Sequence, residues 1–302
     1  MKKTLVIGST VADIIVKIPS LPKSGEDINI ISQSQKIGGC AYNVAHILNL
    51  TNTPFILCSP VGTGLYGDFI LSELKKADIQ PFIRIPNMEN GCCYCIVDDQ
   101  GERTFLSHHG VEYTFKKEWM DSINMHDVDS VYICGLELEE PSGIEIVEFL
   151  EEHKNLVIYF APGPRINKIP SDIINRVFDL NPITHLNSKE IISFTKKEKI
   201  EDAILKLYKQ TSNKIFVTLG KKGACYIEKG KIFTIPGVPA KIDDTIGAGD
   251  AHFGTIIASI KYGITTEQAI RRANLISSAV VSVSGSLISL EQFNKVSKSF
   301  RL

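Results

Sequence analysis

Short apolar runs alternate with amphipathic stretches along most of the chain. The runs are rich in β-branched and aromatic residues and predict strands, whereas the stretches between them have helical spacing. This alternation predicts βα units around a mainly parallel sheet. The predicted strands are Thr4–Ile7, Phe55–Cys58, Ser130–Cys134, Leu156–Phe160, His185–Asn187 and Lys214–Thr218. The predicted helices are Asn43–Leu50, Asp68–Ala77, Gly143–His153, Glu201–Gln210, Ala251–Lys261 and Glu267–Val283.

Two segments near the N-terminus interrupt this alternation. The chain from Asp13 to Lys36 is rich in β-branched residues and predicts extended structure, and Cys92–Leu106 predicts a hairpin. We therefore expect a small β-sheet lid, formed by about residues 13–36 and 90–113, beside the main body. The predicted fold is a doubly wound α/β domain over residues 1–302, with helices on both faces of a mainly parallel sheet.

Composition narrows the class of protein. Hydrophobic residues make up 43% and charged residues 22%, as in ordinary globular proteins. The net charge of -1 argues against a general nucleic-acid binder. No apolar stretch approaches the ~18 residues of a membrane span, and Gly8 cuts the first apolar run too early for a signal peptide. Seven cysteines, an odd number, indicate reduced thiols in a cytoplasm. With the charge balance and the absence of a span, we expect a cytoplasmic protein without membrane or nucleic-acid partners.

The segment from Asp243 to Asp250 carries the most specific chemistry. Its small residues Gly247, Ala248 and Gly249 allow several backbone N–H groups to point into one concavity at a helix N-terminus, which predicts an anion site. The helix dipole is expected to keep the neighbouring Asp250 carboxylate ionised, with an ordinary or low pKa. An anion site beside a carboxylate suits phosphoryl transfer, in which the carboxylate accepts the proton of the attacking hydroxyl.

A second motif, Gly38-Gly39-Cys40-Ala41-Tyr42-Asn43-Val44-Ala45, opens another predicted helix. Paired glycines admit close approach of a ligand to the backbone, and Asn43 offers both a donor and an acceptor to hydroxyl groups. Taken alone, this motif is compatible with a ligand-binding turn or with a purely structural one.

Taken together, the two motifs resemble the signatures of the ribokinase family, also called the PfkB carbohydrate kinases. The first signature, Gly-Gly-x-small-x-Asn-x-Ala, is matched by Gly38, Gly39, Ala41, Asn43 and Ala45. The second, Asp-Thr-x-Gly-Ala-Gly-Asp, is matched by Asp244, Thr245, Gly247, Ala248, Gly249 and Asp250. The resemblance implies a ribokinase-like fold and ATP-dependent phosphorylation of a hydroxyl, most simply the primary hydroxyl of a small sugar. A nucleoside is the alternative acceptor.

The resemblance also implies a role for each matching residue. Asp250 is the expected base, beside the anion hole of Gly247, Ala248 and Gly249. The expected acceptor-binding residues are Asp13, Gly38, Gly39, Asn43, Glu139 and Arg103. The expected ATP-binding residues are Asn187, Glu190, Thr218, Gly220, Gly223 and Asn274, with Glu190 also holding Mg²⁺ through water. A monovalent cation such as K⁺ is expected at Asp244 and at the carbonyls of Ile246, Val283 and Gly285.

The sequence specifies the acceptor side of the site less completely than the ATP side. Strand parity puts Glu137 and Glu139 on the same face, so spacing does not choose between them, although alignment to Glu140-Pro141 favours Glu139. Ala161 stands where many family members carry an aspartate. Arg103 and Arg165 are each able to meet a phosphate or carboxylate, so the sequence does not decide whether the acceptor is already phosphorylated.

Two rival functions belong to other classes. Gly62-Thr63-Gly64-Leu65-Tyr66-Gly67 has the form of a dinucleotide-binding loop, which would indicate an oxidoreductase, but no acid follows at the expected strand end. The other rival is a catalytically silent sugar sensor, against which the retained Asp250 and Glu190 argue. His108-His109 is interpreted as a surface or lid pair, because adjacent strand residues face opposite ways. The exposed edges of a small lid sheet also predict a homodimer through the lid.

Overall fold

The predicted strands all lie in one central sheet. The computed structural model describes residues 1–283 and 285–300. Its strands are β1 Lys3–Ile7, β2 Val11–Lys17, β3 Ser32–Gly38, β4 Phe55–Cys58, β5 Pro60–Thr63, β6 Ile83–Glu89, β7 Cys92–Val97, β8 Arg103–His108, β9 Val128–Cys134, β10 Val157–Ala161, β11 Ile183–Asn187, β12 Ile215–Thr218, β13 Ala224–Glu228 and β14 Lys231–Ile235.

The helices follow the strands in the order that βα units require. They are α1 Cys40–Leu50, α2 Gly64–Lys76, α3 Lys117–Asp121, α4 Gly135–Glu139, α5 Gly143–Glu152, α6 Ser171–Asp179, α7 Ser188–Thr195, α8 Ile200–Thr211, α9 Ala248–Lys261, α10 Thr266–Val280 and α11 Leu290–Ser297. None of the helices in the described ranges is long and apolar enough to cross a bilayer.

The central sheet, as far as the chain is described, has eight strands in the order β14-β13-β12-β11-β10-β9-β1-β4. The six neighbouring strands β12, β11, β10, β9, β1 and β4 pair in parallel. The strands β13 and β14 add an antiparallel edge next to β12. Successive residues of β1 enter different clusters: Leu5 and Ile7 pack on one face with α5, α6 and α8, and Val6 packs on the other with α1 and α9. Helices therefore cover both faces, and the predicted doubly wound fold is confirmed.

A smaller sheet, called the lid below, has the order β3-β2-β7-β8. The two predicted β segments provide its strands, and the expected hairpin is β7–β8, closed by a hydrogen bond from the Gly101 N–H to the Asp98 carbonyl. On one face, Ala12, Ile14 and Cys92 pack against α2. Asp13 lies on the opposite face, directly between Lys36 of β3 and Cys93 of β7.

The segment Gly135–Glu139 is a short helix, α4, and not the continuation of a strand. The strand β9 ends at Cys134, where Gly135 packs too closely against the backbone of Pro162 to leave room for a Cβ. The assumption that Glu137 and Glu139 share one strand face is therefore wrong, because residues two apart on a helix do not point the same way.

Phe253 of α9 is the aromatic centre of the core. It is fully buried, and its ring lies 6.0 Å from that of Tyr132, 5.8 Å from that of Tyr159 and 4.8 Å from that of His185. We predict that Phe253→Ala lowers the free energy of unfolding by about 3–5 kcal/mol, the usual effect of an aromatic cavity. Chemical denaturation measures the loss, with the half-exposed Leu205→Ala as control. Equal losses in the two variants would contradict this assignment of the core.

Candidate active site

The two motifs meet where α1 and α9 begin. Asp250 lies in the first turn of α9, and one of its oxygens, Oδ2, accepts a hydrogen bond of 2.8 Å from Asn43 Nδ2 of α1. The Cys40 thiol also bonds to this carboxylate. Residues far apart in sequence thus form a single half-buried acidic site, as the motifs predict. The contribution of Cys40 was not expected, because it occupies an unspecified position of its motif.

The backbone before Asp250 leaves room for an anion. Gly247 caps α9 with φ 73°, and a Cβ there would come within 2.5 Å of the Ser286 side chain. A Cβ on Gly249 would meet nothing within 4 Å. The first amides of a helix have no intrahelical acceptor, so the open face at Gly249 presents donors to a negatively charged group. Ala248 lies between these two glycines.

Two carboxyl groups of the site hold their protons unusually tightly. Burial raises the pKa of Asp250 to about 7, and the negative charges of Glu137 and Glu190 add to the effect, while the Asn43 and Cys40 hydrogen bonds oppose it. The expectation of an ordinary or low pKa is therefore not met, since desolvation outweighs the helix dipole. Burial, together with the charges of Asp244 and Asp250, likewise raises the pKa of Asp13 to about 7.

Gly38 and Gly39 are required first by the protein's own packing. A Cβ on Gly38 would overlap the Asp13 carboxylate, and one on Gly39, where φ is 98°, would overlap the Ser9 carbonyl. The glycines thereby allow the turn before α1 to close onto the lid strand that carries Asp13. They bring Asp13 and Asn43 close to Asp250, and the space between the lid and the starts of α1 and α9 is called the crevice below.

The two glutamates of α4 have separate partners. Glu137 is 1% exposed and accepts a 2.8 Å hydrogen bond from the Ser9 N–H, so it braces the turn between β1 and β2. Glu139 forms a paired ion contact with Arg165, through Nε and a second guanidinium nitrogen, both at 2.6 Å. The structure therefore gives Glu139 a cationic partner, Arg165.

On the opposite side of Asp250, Asn187 and Glu190 form a capping box at the start of α7. The Glu190 carboxylate accepts from the Asn187 N–H at 2.8 Å and from its Nδ2 at 2.6 Å. Burial raises the pKa of Glu190. The carboxylate is thus held in one orientation near Asp250, and its remaining lone pairs suit a water bound to Mg²⁺.

Thr218 ends β12, and the turn that follows carries Gly220 and Gly223. Gly220 has φ 58° and open space where a Cβ would stand, whereas a Cβ on Gly223 would overlap the Ile235 carbonyl. Gly220 thus leaves surface for a ligand, and Gly223 allows β14 to approach.

Asn274 of α10 is held by a buried hydrogen-bonded chain. Its Nδ2 donates to the Pro236 carbonyl at 2.9 Å, its Oδ1 lies 3.1 Å from His252 Nε2, and His252 Nδ1 lies 3.0 Å from His185 Nε2. These contacts require each histidine to carry its proton on Nε2. Burial lowers the pKa of His252 to about 4. Nothing in the sequence indicated these two histidines, which lie on different elements.

Asp244 is engaged by protein donors on both oxygens. Oδ1 accepts from the Ile246 N–H at 2.8 Å and from an Arg103 guanidinium nitrogen at 3.0 Å, and Oδ2 accepts from the Gly285 N–H at 2.9 Å. The expected K⁺ does not fit these groups, because it would lie beside the guanidinium. Val283 is described, but Ser284, between Val283 and Gly285, lies outside the described residues.

The rival dinucleotide loop has no room for a pyrophosphate. A Cβ on Gly62 would overlap the Met88 carbonyl, and the Gly62 N–H already donates to Asn90 Oδ1 at 2.7 Å. His109 Nδ1 lies 2.6 Å from Glu140 Oε1. Within residues 1–283 and 285–300, no cluster of histidine, cysteine and acidic residues suits a metal ion.

Comparison with known proteins agrees with this geometry. The family model described as "pfkB family carbohydrate kinase" matches residues 1–292. An uncharacterized sugar kinase, YegV, of Escherichia coli (strain K12) is 32% identical over 94% of this chain and 90% of its own length.

Two solved structures also resemble this chain. A putative ribokinase II from E. coli, in complex with ATP and Mg²⁺, has a TM-score of 0.82 at 19% identity, covering 99% of this chain and all of that one. A nucleoside kinase of Burkholderia thailandensis, in complex with inosine, has a TM-score of 0.79 at 18% identity, covering 98% of each chain. At these identities the two structures establish the fold alone.

The chain belongs to the pfkB family of carbohydrate kinases. Its class is that of a kinase that transfers a phosphoryl group to an alcohol, so the oxidoreductase interpretation is wrong.

The raised pKa values of Asp13 and Asp250 predict a stability cost. Unfolded aspartates titrate near 3.9, so between that pH and about 7 the native state binds more protons and becomes less stable as pH rises. Asp250→Asn and Asp13→Asn should therefore each stabilise the protein more at about pH 8 than at about pH 5. Urea unfolding at the two pH values measures this difference.

The exposed Asp99→Asn, in the turn of the lid hairpin, is the matched control. It should change stability equally at both pH values. A gain in the Asp250 or Asp13 variant that does not grow with pH would contradict the assignment of a buried, proton-binding carboxyl group.

Proposed function

We propose that this kinase uses Mg²⁺ and ATP to phosphorylate the primary hydroxyl of a small, uncharged sugar, with Asp250 as the base. The observation that carries the proposal is the Asp250 carboxylate, bonded to Asn43 beside the open backbone at Gly249. A base next to an anion hole is the arrangement that phosphoryl transfer to a hydroxyl needs.

In the proposed reaction the acceptor oxygen bonds to the γ-phosphorus as the bond to the β–γ bridging oxygen breaks. The hydroxyl proton passes to Asp250, and ADP leaves. The amides near Gly247, Ala248 and Gly249 stabilise charge on the transferred group. With a pKa of about 7, Asp250 is ionised in half or more of the molecules at neutral pH and is a better base than an exposed aspartate.

The nucleotide is proposed to lie across the turn after β12 and the start of α9. Gly220 and Gly249 leave space for it, and Thr218, Gly223 and Asn274 shape that side of the crevice. Mg²⁺ supplies charge neutralisation at the phosphates, and Glu190, oriented by Asn187, would hold it through a water molecule.

The acceptor is proposed to lie under the lid, against Asp13, Gly38, Gly39 and Asn43. The Asn43 Oδ1 atom is buried and has no protein partner, so it is available to accept from a sugar hydroxyl. The carboxylate of Asp13, on the lid face opposite the α2 contact, supplies a second acceptor. Such acceptors suit hydroxyl donors.

The charges around this crevice favour an uncharged acceptor over one that already carries a phosphate. Arg165 is paired with Glu139, and Arg103 is paired with Asp244. Both arginines that were candidates for an acceptor phosphate are therefore neutralised by a carboxylate. The carboxyl groups of Asp13 and Asp250 would repel a further anion.

A nucleoside is the second candidate acceptor, and Phe105 is the observation in its favour. Phe105 lies across from Cys95 and so shares the lid face of Asp13, and the residue is 54% exposed. An exposed aromatic ring at a hydroxyl-binding crevice suits stacking of a flat base.

A homodimer through the lid and a cytoplasmic location complete the proposal. Tyr94 and Leu106 lie side by side on the other lid face, and both are partly exposed, which supports a covering partner. A purely monomeric sedimentation profile would argue against the dimer. All seven cysteines, each within the described residues, are unpaired, as a reducing compartment requires.

The role of Asp250 is tested by Asp250→Asn, which keeps the size of the side chain but cannot take a proton. We expect kcat to fall at least about 10²-fold, because a general base is lost, with both KM values within a few-fold of wild type. Steady-state kinetics measure the change, and Asp243→Asn, an exposed neighbour in the same loop, is the control. Retention of more than about a tenth of wild-type kcat would reduce Asp250 to a helix-capping residue.

The acceptor is tested with a panel of free sugars, the same sugars carrying an anomeric phosphate, and nucleosides. We expect kcat/KM for a free sugar to exceed that for its phosphate ester by at least about tenfold, because Arg103 and Arg165 are both paired with carboxylates. A coupled assay of ADP formation measures all three sets. Preference for the esters would overturn the uncharged acceptor, and preference for nucleosides would favour the second candidate.

A further inference from the structure

The carboxylate of Asp244 has a counter-ion within the protein. Its side chain is 8% exposed, and the Arg103 guanidinium that meets it at 3.0 Å is 19% exposed. Nearly buried charges are stable only when paired, so this contact compensates the carboxylate. The two backbone amides that also bind Asp244 leave its charge in place, because they are neutral donors.

A second cation lies close to the same loop. A Cβ built on Gly285 would come within 3.0 Å of Lys36 Nζ, so the ammonium group of Lys36 lies against Gly285. Gly285 is also the residue whose N–H binds Asp244 Oδ2. The loop is therefore flanked by two positive charges of the protein.

Both cations belong to the lid, and the groups they approach belong to the main body. Arg103 opens β8 and Lys36 lies on β3, whereas Asp244 and Gly285 flank α9 and α10. Asp244 Oδ1 also holds the Ile246 N–H, directly before the Gly247 cap of α9. The pairing with Arg103 thus links the lid to the turn that forms the anion hole.

We propose that Arg103 replaces the monovalent cation expected at Asp244, so that phosphorylation by this chain does not depend on K⁺. This inference rests on the proposed function for its kinetic test. A free cation would have to displace the guanidinium or lie beside it. Removal of Arg103 would take away the cation that is bonded directly to this nearly buried carboxylate, and an added K⁺ would then be able to take that place.

The test compares activity in the chloride salts of K⁺, Na⁺ and tetramethylammonium at equal ionic strength. For wild type, we expect kcat/KM to agree within about twofold in the three salts. For Arg103→Gln we expect lower activity in tetramethylammonium and at least about fivefold recovery in K⁺. Arg103→Lys keeps the charge and should stay indifferent to the salt, as should the exposed control Arg84→Gln.

Thermal unfolding without substrates gives an independent measurement in the same salts. A ligand that binds the native state raises the midpoint of unfolding, so K⁺ should raise it for Arg103→Gln and leave wild type unchanged. A K⁺-specific rise in wild-type activity or midpoint would overturn the proposal, as would an Arg103→Gln protein indifferent to K⁺. If no sugar or nucleoside is phosphorylated in any salt, the proposed function fails, and the melting series still decides this inference.

Discussion

The close packing of α1 against α9 is the constraint on which the active site depends. A Cβ on Gly254 of α9 would lie 3.0 Å from the Ile47 Cβ of α1, which is tighter than ordinary packing, so the glycine favours this close approach of the helices. One turn earlier in each helix, the same approach places Asn43 2.8 Å from Asp250. Both helices are anchored in the apolar cluster on one face of the sheet, through side chains such as Val44 and Ile256. The hydrophobic core thus fixes the distance between two polar residues that are remote in sequence.

That packing also places several carboxyl groups close together in the crevice. It collects the carboxyl groups of Asp13, Glu137 and Asp250 in one place, where burial raises the pKa of Asp13 and of Asp250. The charge of Asp250 adds to the effect on Asp13, and the charge of Glu137 adds to the effect on Asp250. Hydrogen bonds from Asn43 to Asp250 and from the Ser9 N–H to Glu137 offset part of this cost. The result is a carboxylate more basic than an exposed one, at the expense of stability above neutral pH. Function and stability therefore oppose each other at this site.

The elements that could be predicted are those with local signals. The βα alternation predicts the parallel strands, and the small-residue turn predicts the start of α9. The edge strands β13 and β14 and the five-residue helix α4 were missed, because short elements with mixed composition have no distinctive period. The strand parity assumed for Glu137 and Glu139 failed for that reason.

Among the candidate site residues, Asn43 and Asp250 could be predicted because they occupy motif positions, and Asp13 because it matches a family position after the first strand. Contacts between remote side chains could not. The pairs Arg103–Asp244 and Arg165–Glu139 join segments that only the tertiary fold brings together. The same holds for the chain from His185 through His252 to Asn274, which is buried and has no sequence pattern.

The distribution of these ion pairs has a consequence for how the lid and the main body work together. Asp13, the proposed acceptor-binding residue, and Arg103, which pairs with Asp244, lie in strands of the same small sheet. A lid position that brings Asp13 to the acceptor therefore also brings a counter-ion to the loop before α9. In that loop, the Ile246 N–H donates a hydrogen bond to Asp244, next to the proposed anion hole. The lid position that would enclose the acceptor would therefore also support the anion hole. In the proposed reaction, acceptor binding and stabilisation of the phosphoryl group would thus be coupled through this sheet, and water that enters with the lid displaced would meet a less supported anion hole.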